Sequence, residues 1–222
     1  MTQQGYRHRI LILDRSWSIN SILKGQQSGL DEFFGSEASV PGKATYSLWD
    51  FDDEIRCFAS FAALDEVRGY RIKPRGQTAM LDAIGDAVEA EGNVLARTPE
   101  GERPEDVTVI ISSDGLENAS IRHTASQVEE MLRDQQDVYH WRVIYMGCNQ
   151  DALKEGEKIG TRRGQTVNTV STDDGQYRSW KMSASYLSRV PVAAAAGSAD
   201  LDFTPEERSL GESAEGDDTP EE

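Results

Sequence analysis

Short apolar runs alternate along this 222-residue chain with segments of helical period, and few folds accept that order. Residues 107–111 are the most strand-like run, and residues 9–13 are short and apolar enough for a buried central strand. Residues 141–146 and 165–170 read as two more strands. Between them, Leu30, Phe33 and Phe34 give one segment a partly apolar helical face, and Met80, Leu81, Ile84 and Val88 recur at helical spacing after Thr78. Thr124-Ala125-Ser126-Gln127 has the form of a capping box ahead of Val128, Met131 and Leu132. Residues 177–190 read as a closing helix in which Trp180, Ala184 and Leu187 make core contacts. Residues 45–51 and 54–58 instead flank Asp52-Asp53 as a hairpin. Alternation with few hairpins implies a mostly parallel sheet covered on both faces. Ligands of such sheets collect at the carboxyl ends of the strands.

Three segments at predicted strand ends carry oxygen-bearing side chains: Asp14-Arg15-Ser16-Trp17-Ser18, Thr78 in Gly76-Gln77-Thr78, and Asp114 in Ser112-Ser113-Asp114-Gly115. Two carboxylates and three hydroxyls, with no Cys or His, suit Mg²⁺, Mn²⁺ or Ca²⁺ and suit zinc poorly. Mg²⁺ is the preferred ion, because it keeps several waters and stays electrophilic towards one more oxygen donor. Each segment alone has a plainer reading. Asp14 to Ser18 could be a strand end followed by helix caps, Thr78 the cap of a helix beginning at Ala79, and Asp114-Gly115 a turn. Their order and shared context favour the metal.

Composition narrows the function classes. The net charge is −16, and the ten acidic residues from Asp200 onward face Arg208 alone, which leaves −9 on the tail and −7 on the rest. An acidic body argues against nucleic acid as a partner. Cys57 and Cys148 are too few for a disulfide scaffold and lack metal spacing, and both are expected to be free thiols. His8, His123 and His140 are scattered, and neither a Gly-x-Ser-x-Gly elbow nor a phosphate-binding Gly-Lys-Ser/Thr loop occurs. No signal peptide, transmembrane helix or membrane role is read from the sequence. Residues 1–190 are expected to form one domain and residues 191–222 an acidic tail, disordered from about residue 197.

The three segments resemble the metal-ion-dependent adhesion site of the von Willebrand factor type A family, whose pattern is Asp-x-Ser-x-Ser, then Thr, then Asp. All five positions are present, and the similarity extends through Phe51-Asp52-Asp53, residues 74–84 and residues 109–115. The resemblance implies an α/β, Rossmann-like, doubly wound and mostly parallel sheet, with one antiparallel edge strand and helices on both faces. It implies that Ser16 and Ser18 bind the ion directly, and that Asp14, Thr78 and Asp114 bind it directly or through water. It departs at Trp17, where the family commonly has Gly. That ring would either crowd the ion or form an apolar rim for a partner. Family members outside the cell normally carry an export signal, so the chain is expected to be of the cytoplasmic bacterial or bacteriophage type, in the host cytoplasm if phage-encoded. The implied function is a non-enzymatic binding module that grips an Asp or Glu of a protein partner, with a ring ATPase or an assembly component as candidates. The alternative is a metal-dependent phosphoryl hydrolase of the haloacid-dehalogenase-like type, with Asp14 or Asp50 as nucleophile. Asp50-Phe51-Asp52 has the required spacing, but the next residues lack the usual Thr or Val, and Ser16 stands where a second Asp would follow Asp14.

Overall fold

The structure is a computed structural model that describes residues 2–148, 152–195 and 201–211. Six strands, β1 (Gln3–Asp14), β2 (Ala44–Phe51), β3 (Ile55–Ala62), β4 (Pro104–Ser113), β5 (Arg142–Cys148) and β6 (Thr166–Thr169), form one sheet in the order β3-β2-β1-β4-β5-β6. All neighbours are parallel except β2 and β3, the hairpin pair, so β3 is an antiparallel edge.

Strand side chains alternate between the two faces, and the sequence fills both with apolar groups. On β1 and β4, Leu11, Leu13 and Ile110 join one core, where α1 (Leu23–Ala38) and α6 (Asp173–Ala195) contribute Leu30, Phe33, Phe34, Trp180 and Tyr186. Ile10, Ile12, Val109 and Ile111 join the other. There α3 (Met80–Arg97), α4 (Ala125–Asp137) and α5 (Ala152–Lys158) bring Met80, Ile84, Val128, Leu132 and Ala152. A one-turn α2 (Leu64–Val67) follows β3. The doubly wound, mostly parallel architecture expected from the sequence is thus present. Trp180 is fully buried, and its indole donates to Gln26 Oε1 at 3.1 Å, so it serves the core.

Helix starts follow local chemistry. Thr124 caps α4: its hydroxyl accepts from Gln127 N at 3.3 Å and Gln127 Oε1 accepts from Thr124 N at 2.9 Å, closing the expected box. Thr78 does not cap α3. That helix begins at Met80 after an uncapped Ala79, and its first N–H groups are met from another loop: Leu81 N donates to Glu117 Oε2 at 2.9 Å and Asp82 N to Ser120 Oγ at 3.0 Å.

The chain end departs from expectation. Helix α6 continues through Pro191 to Ala195, carried by alanines, the strongest helix formers. Residues 201–211, expected to be disordered, include α7 (Pro205–Gly211) packed back on α6. Phe203 is buried with its ring 4.8 Å from that of Tyr186, and Arg189 pairs with Glu207 at 2.6 Å. An acidic composition argues for disorder only while its carboxylates lack partners, and here Glu207 has one. Residues 196–200 and 212–222 of the expected tail lie outside the described residues.

Candidate metal centre

Strand order brings the ligand segments together. The chain leaves β1 for β2 on one side and returns through α3 to β4 on the other, so the carboxyl ends of β1 and β4 flank a topological switch point. Leu13 is in register with Ser112, which sets Asp14 beside Ser113. Ser113 Oγ donates to Asp14 Oδ2 at 2.6 Å, and Ser16 N donates to Asp14 Oδ1 at 2.7 Å. Ser16 Oγ lies 2.9 Å from Ser18 Oγ, and Ser18 Oγ donates to Asp114 Oδ1 at 2.7 Å. Thr78 is buried at the same place: a Cβ built on Gly115 would lie 3.4 Å from Thr78 Oγ1 and 3.6 Å from Ser18 Oγ. Contacts thus link Asp14, Ser16, Ser18 and Asp114 in a chain, and Thr78 lies beside them at the same strand ends.

Burial disfavours the charged form of both carboxyls, which either a proton or a cation would offset. Burial pushes the Asp14 carboxyl up to about 6, against the hydrogen bonds from Ser113 and Ser16. Burial also raises the Asp114 carboxyl, against the hydrogen bond from Ser18. Asp114 Oδ2 is buried and accepts no hydrogen bond. Buried carboxylate oxygens are rarely left so, and a hard cation held by neighbouring hydroxyls and carboxylates would satisfy this one. The donor set fits a divalent ion, with Ser16, Ser18 and Asp114 already converged.

Sequence reasoning missed the supports. Arg15, between two ligands, is itself buried and pairs with Asp50 and Asp52 at 3.1 Å each. These are charge contacts, since Arg15 Nε and Asp52 Oδ2 form no aligned hydrogen bond. Arg15 O accepts from Arg75 N at 2.7 Å, Trp17 N donates to Gly76 O at 3.2 Å, and Asp52 O accepts from Ala79 N at 2.9 Å. The first ligand loop, the hairpin and the Thr78 loop are thereby tied together. Gly76 is required there: its φ is +67°, and a Cβ would lie 1.8 Å from Asp53 Oδ1. On the other flank, Thr78 N donates to Asn118 Oδ1 and Thr78 O accepts from Asn118 N, each at 3.0 Å. The adjacent hydroxyls of Ser112-Ser113 were a usable signal, whereas nothing local marks Asn118 or Glu117.

Trp17 is 66% exposed on the 3-10 turn Trp17–Ser21, so its ring does not crowd the ion position. Asp50, the alternative nucleophile, is fully buried and bound by Arg15, Arg56 and the Tyr70 hydroxyl. A carboxylate so engaged has no oxygen free for attack.

No protein-family model matches the sequence, nor does any curated protein. Solved structures do. Proximal thread matrix protein 1 from the mussel byssus, with a zinc-occupied metal-ion-dependent adhesion site, matches 81% of this chain and 47% of its own at 15% identity, with a TM-score of 0.62. A von Willebrand factor type A protein from Catenulispora acidiphila matches 82% and 42% at 13% identity and TM-score 0.57. The corresponding domain of the type V pili tip protein Mfa5 from Porphyromonas gingivalis matches 89% and 98% at 10% identity and TM-score 0.55. The fold is that of a von Willebrand factor type A domain. At such identities the likeness speaks for the fold alone, and this chain spans less than half the length of the mussel protein. Within that fold, the sequence pattern and the contacts among its residues make this loop cluster the candidate metal centre. No helix among the described residues is long and apolar enough to cross a membrane.

Proposed function

We propose that this chain is a non-enzymatic, metal-dependent protein-binding module, in which Asp14, Ser16, Ser18, Thr78 and Asp114 hold Mg²⁺, or Mn²⁺ or Ca²⁺ in its place. The observation that carries the reading is the part-buried Ser16-Ser18-Asp114 chain of contacts, which ends in a buried Asp114 oxygen with no donor. A bound divalent ion supplies an electrophilic position for one more oxygen donor, and an Asp or Glu of a partner protein suits it. Asp14 and Asp114 offset the ion's charge, the hydroxyls orient it without adding charge, and Arg15 holds the first loop in place from below. The zinc found in the mussel protein's site supports a divalent ion in this fold. A ring ATPase or an assembly component, in bacterial cytoplasm or that of a phage host, is the partner class that fits the expected setting.

The hydrolase alternative loses support from the engagement of Asp50 by three side chains. The test combines two assays. Partner capture from lysate should require Mg²⁺ and fail for Asp14→Ala, while no divalent ion should elicit hydrolysis of a generic phosphate ester above a Ser16→Ala control. Turnover lost in Asp14→Asn or Asp50→Asn would move the protein to the hydrolase class.

A further inference from the structure

Large apolar side chains are exposed on the two loops that carry Ser16, Ser18 and Asp114. Trp17 is 66% exposed, Leu116 57% and Ile121 91%. Trp17 sits between two ligand hydroxyls. Leu116 follows Gly115, where an added Cβ would lie within 3.6 Å of both Thr78 Oγ1 and Ser18 Oγ. Ile121 closes the same loop, where its N–H donates to Asp82 Oδ2 at 3.0 Å on the first turn of α3, just beyond Thr78. That loop is built to stay put. Thr78 O accepts from Asn118 and Ala119, Glu117 Oε1 accepts from Ala119 and Ser120, and Asp82 accepts from residues 121, 122 and 123. A rigid loop that presents Leu116 and Ile121 to water forgoes burial that a flexible one could recover, which marks a contact surface.

The charge of the whole chain sharpens the choice of occupant. At −16 it repels a polyacidic segment at long range, so an acidic partner gains little from steering and must gain from contact. The basic side chains nearby do not reverse this: Arg75 pairs with Asp52 and Glu54, and Arg122 with Asp82 and Asp86. Resting on the metal-dependent reading above, we infer that Trp17, Leu116 and Ile121 form an apolar contact surface selecting a single Asp or Glu set among large apolar residues, in preference to an acidic stretch. The carboxylate seats at the metal, and its apolar flanks cover the three exposed side chains, which carry the contact energy as aromatic and aliphatic anchors do at interfaces.

The test uses the full chain and capped nonapeptides, each with one central Glu, flanked by Leu and Phe, by Ser and Gly, or by further Glu, with a Gln-centred control. Binding is read by fluorescence polarisation in Mg²⁺ and in chelator, beside the Mg²⁺-induced melting shift. The apolar-flanked Glu peptide should bind in Mg²⁺ alone, about tenfold or more tighter than the Ser/Gly peptide, as for a contact worth about 1.4 kcal/mol. Trp17→Ser, Leu116→Ser and Ile121→Ser should each erode that preference while keeping the melting shift. Metal-dependent binding that is indifferent to the flanks, or favours the polyacidic peptide, overturns the contact surface and leaves the metal reading intact. A melting shift without binding of any peptide overturns the contact surface as well. No melting shift at all overturns the metal reading and this inference with it.

Discussion

At the scale of single residues, the candidate centre depends on oxygen atoms that other oxygen atoms hold in place. Asp14 is fixed by Ser113 Oγ and Ser16 N, and Asp114 by Ser18 Oγ. The exposure of Trp17 gives the first prediction. Because its ring covers no core, Trp17→Gly should cost about 1 kcal/mol or less in a denaturant titration, near the range of surface substitutions. A loss of about 3 to 5 kcal/mol would instead mean a packed ring. Arg15 gives the second. Arg15→Met removes the charge that Asp50 and Asp52 face in a buried place, so it should destabilise by several kcal/mol, about 3 or more, and weaken the Mg²⁺ response. Unchanged stability in that variant would show that the Arg15 contacts are incidental. The five candidate positions stand out in the sequence because their pattern is local to each loop. Arg15 and its aspartates do not, because their pairing joins β1 to the far end of β2, and sequence reads Asp52 as a turn residue.

At the scale of elements, charge also ties strands together. Asp106 on β4 lies between Arg9 of β1 and Arg142 of β5. Burial opposes its ionisation, but the two guanidiniums outweigh burial and hold its carboxyl below the usual range. A depressed folded pKa stabilises the protein above the unfolded value of about 3.9 and loses that effect as pH falls through the folded value. Asp106→Asn should therefore cost more stability at pH 7 than near pH 3, as read by urea titration at both. An equal cost would rule out a charged role for the pair. Helix α7 carries the other prediction at this scale. Phe203→Ala should lower stability by about 3 kcal/mol, since the ring is buried against Tyr186. A wild-type melting curve would restore residues 201–211 to the loose tail that composition suggested. That segment was illegible because the contacts that order it, Phe203 to Tyr186 and Glu207 to Arg189, cross from a short acidic stretch to a distant helix.

At the scale of the whole molecule, the fold was legible because strand periodicity and connection order leave little choice. Ile10 and Ile12 face one core while Leu11 and Leu13 face the other, which only a sheet covered on both faces can bury. The strand order then places the Asp14 and Asp114 loops at one edge, while ion binding there is a separate question from the fold. The direct measurement is the melting temperature of the full chain with and without Mg²⁺ or Mn²⁺, in wild type and in Asp14→Ala with Ser16→Ala. An ion that binds only the folded state stabilises it by about 2.7 kcal/mol at a hundredfold excess over its dissociation constant. Wild type should show a saturable rise that the double variant lacks, whereas an equal rise in both, or none in either, would contradict a metal centre at these residues.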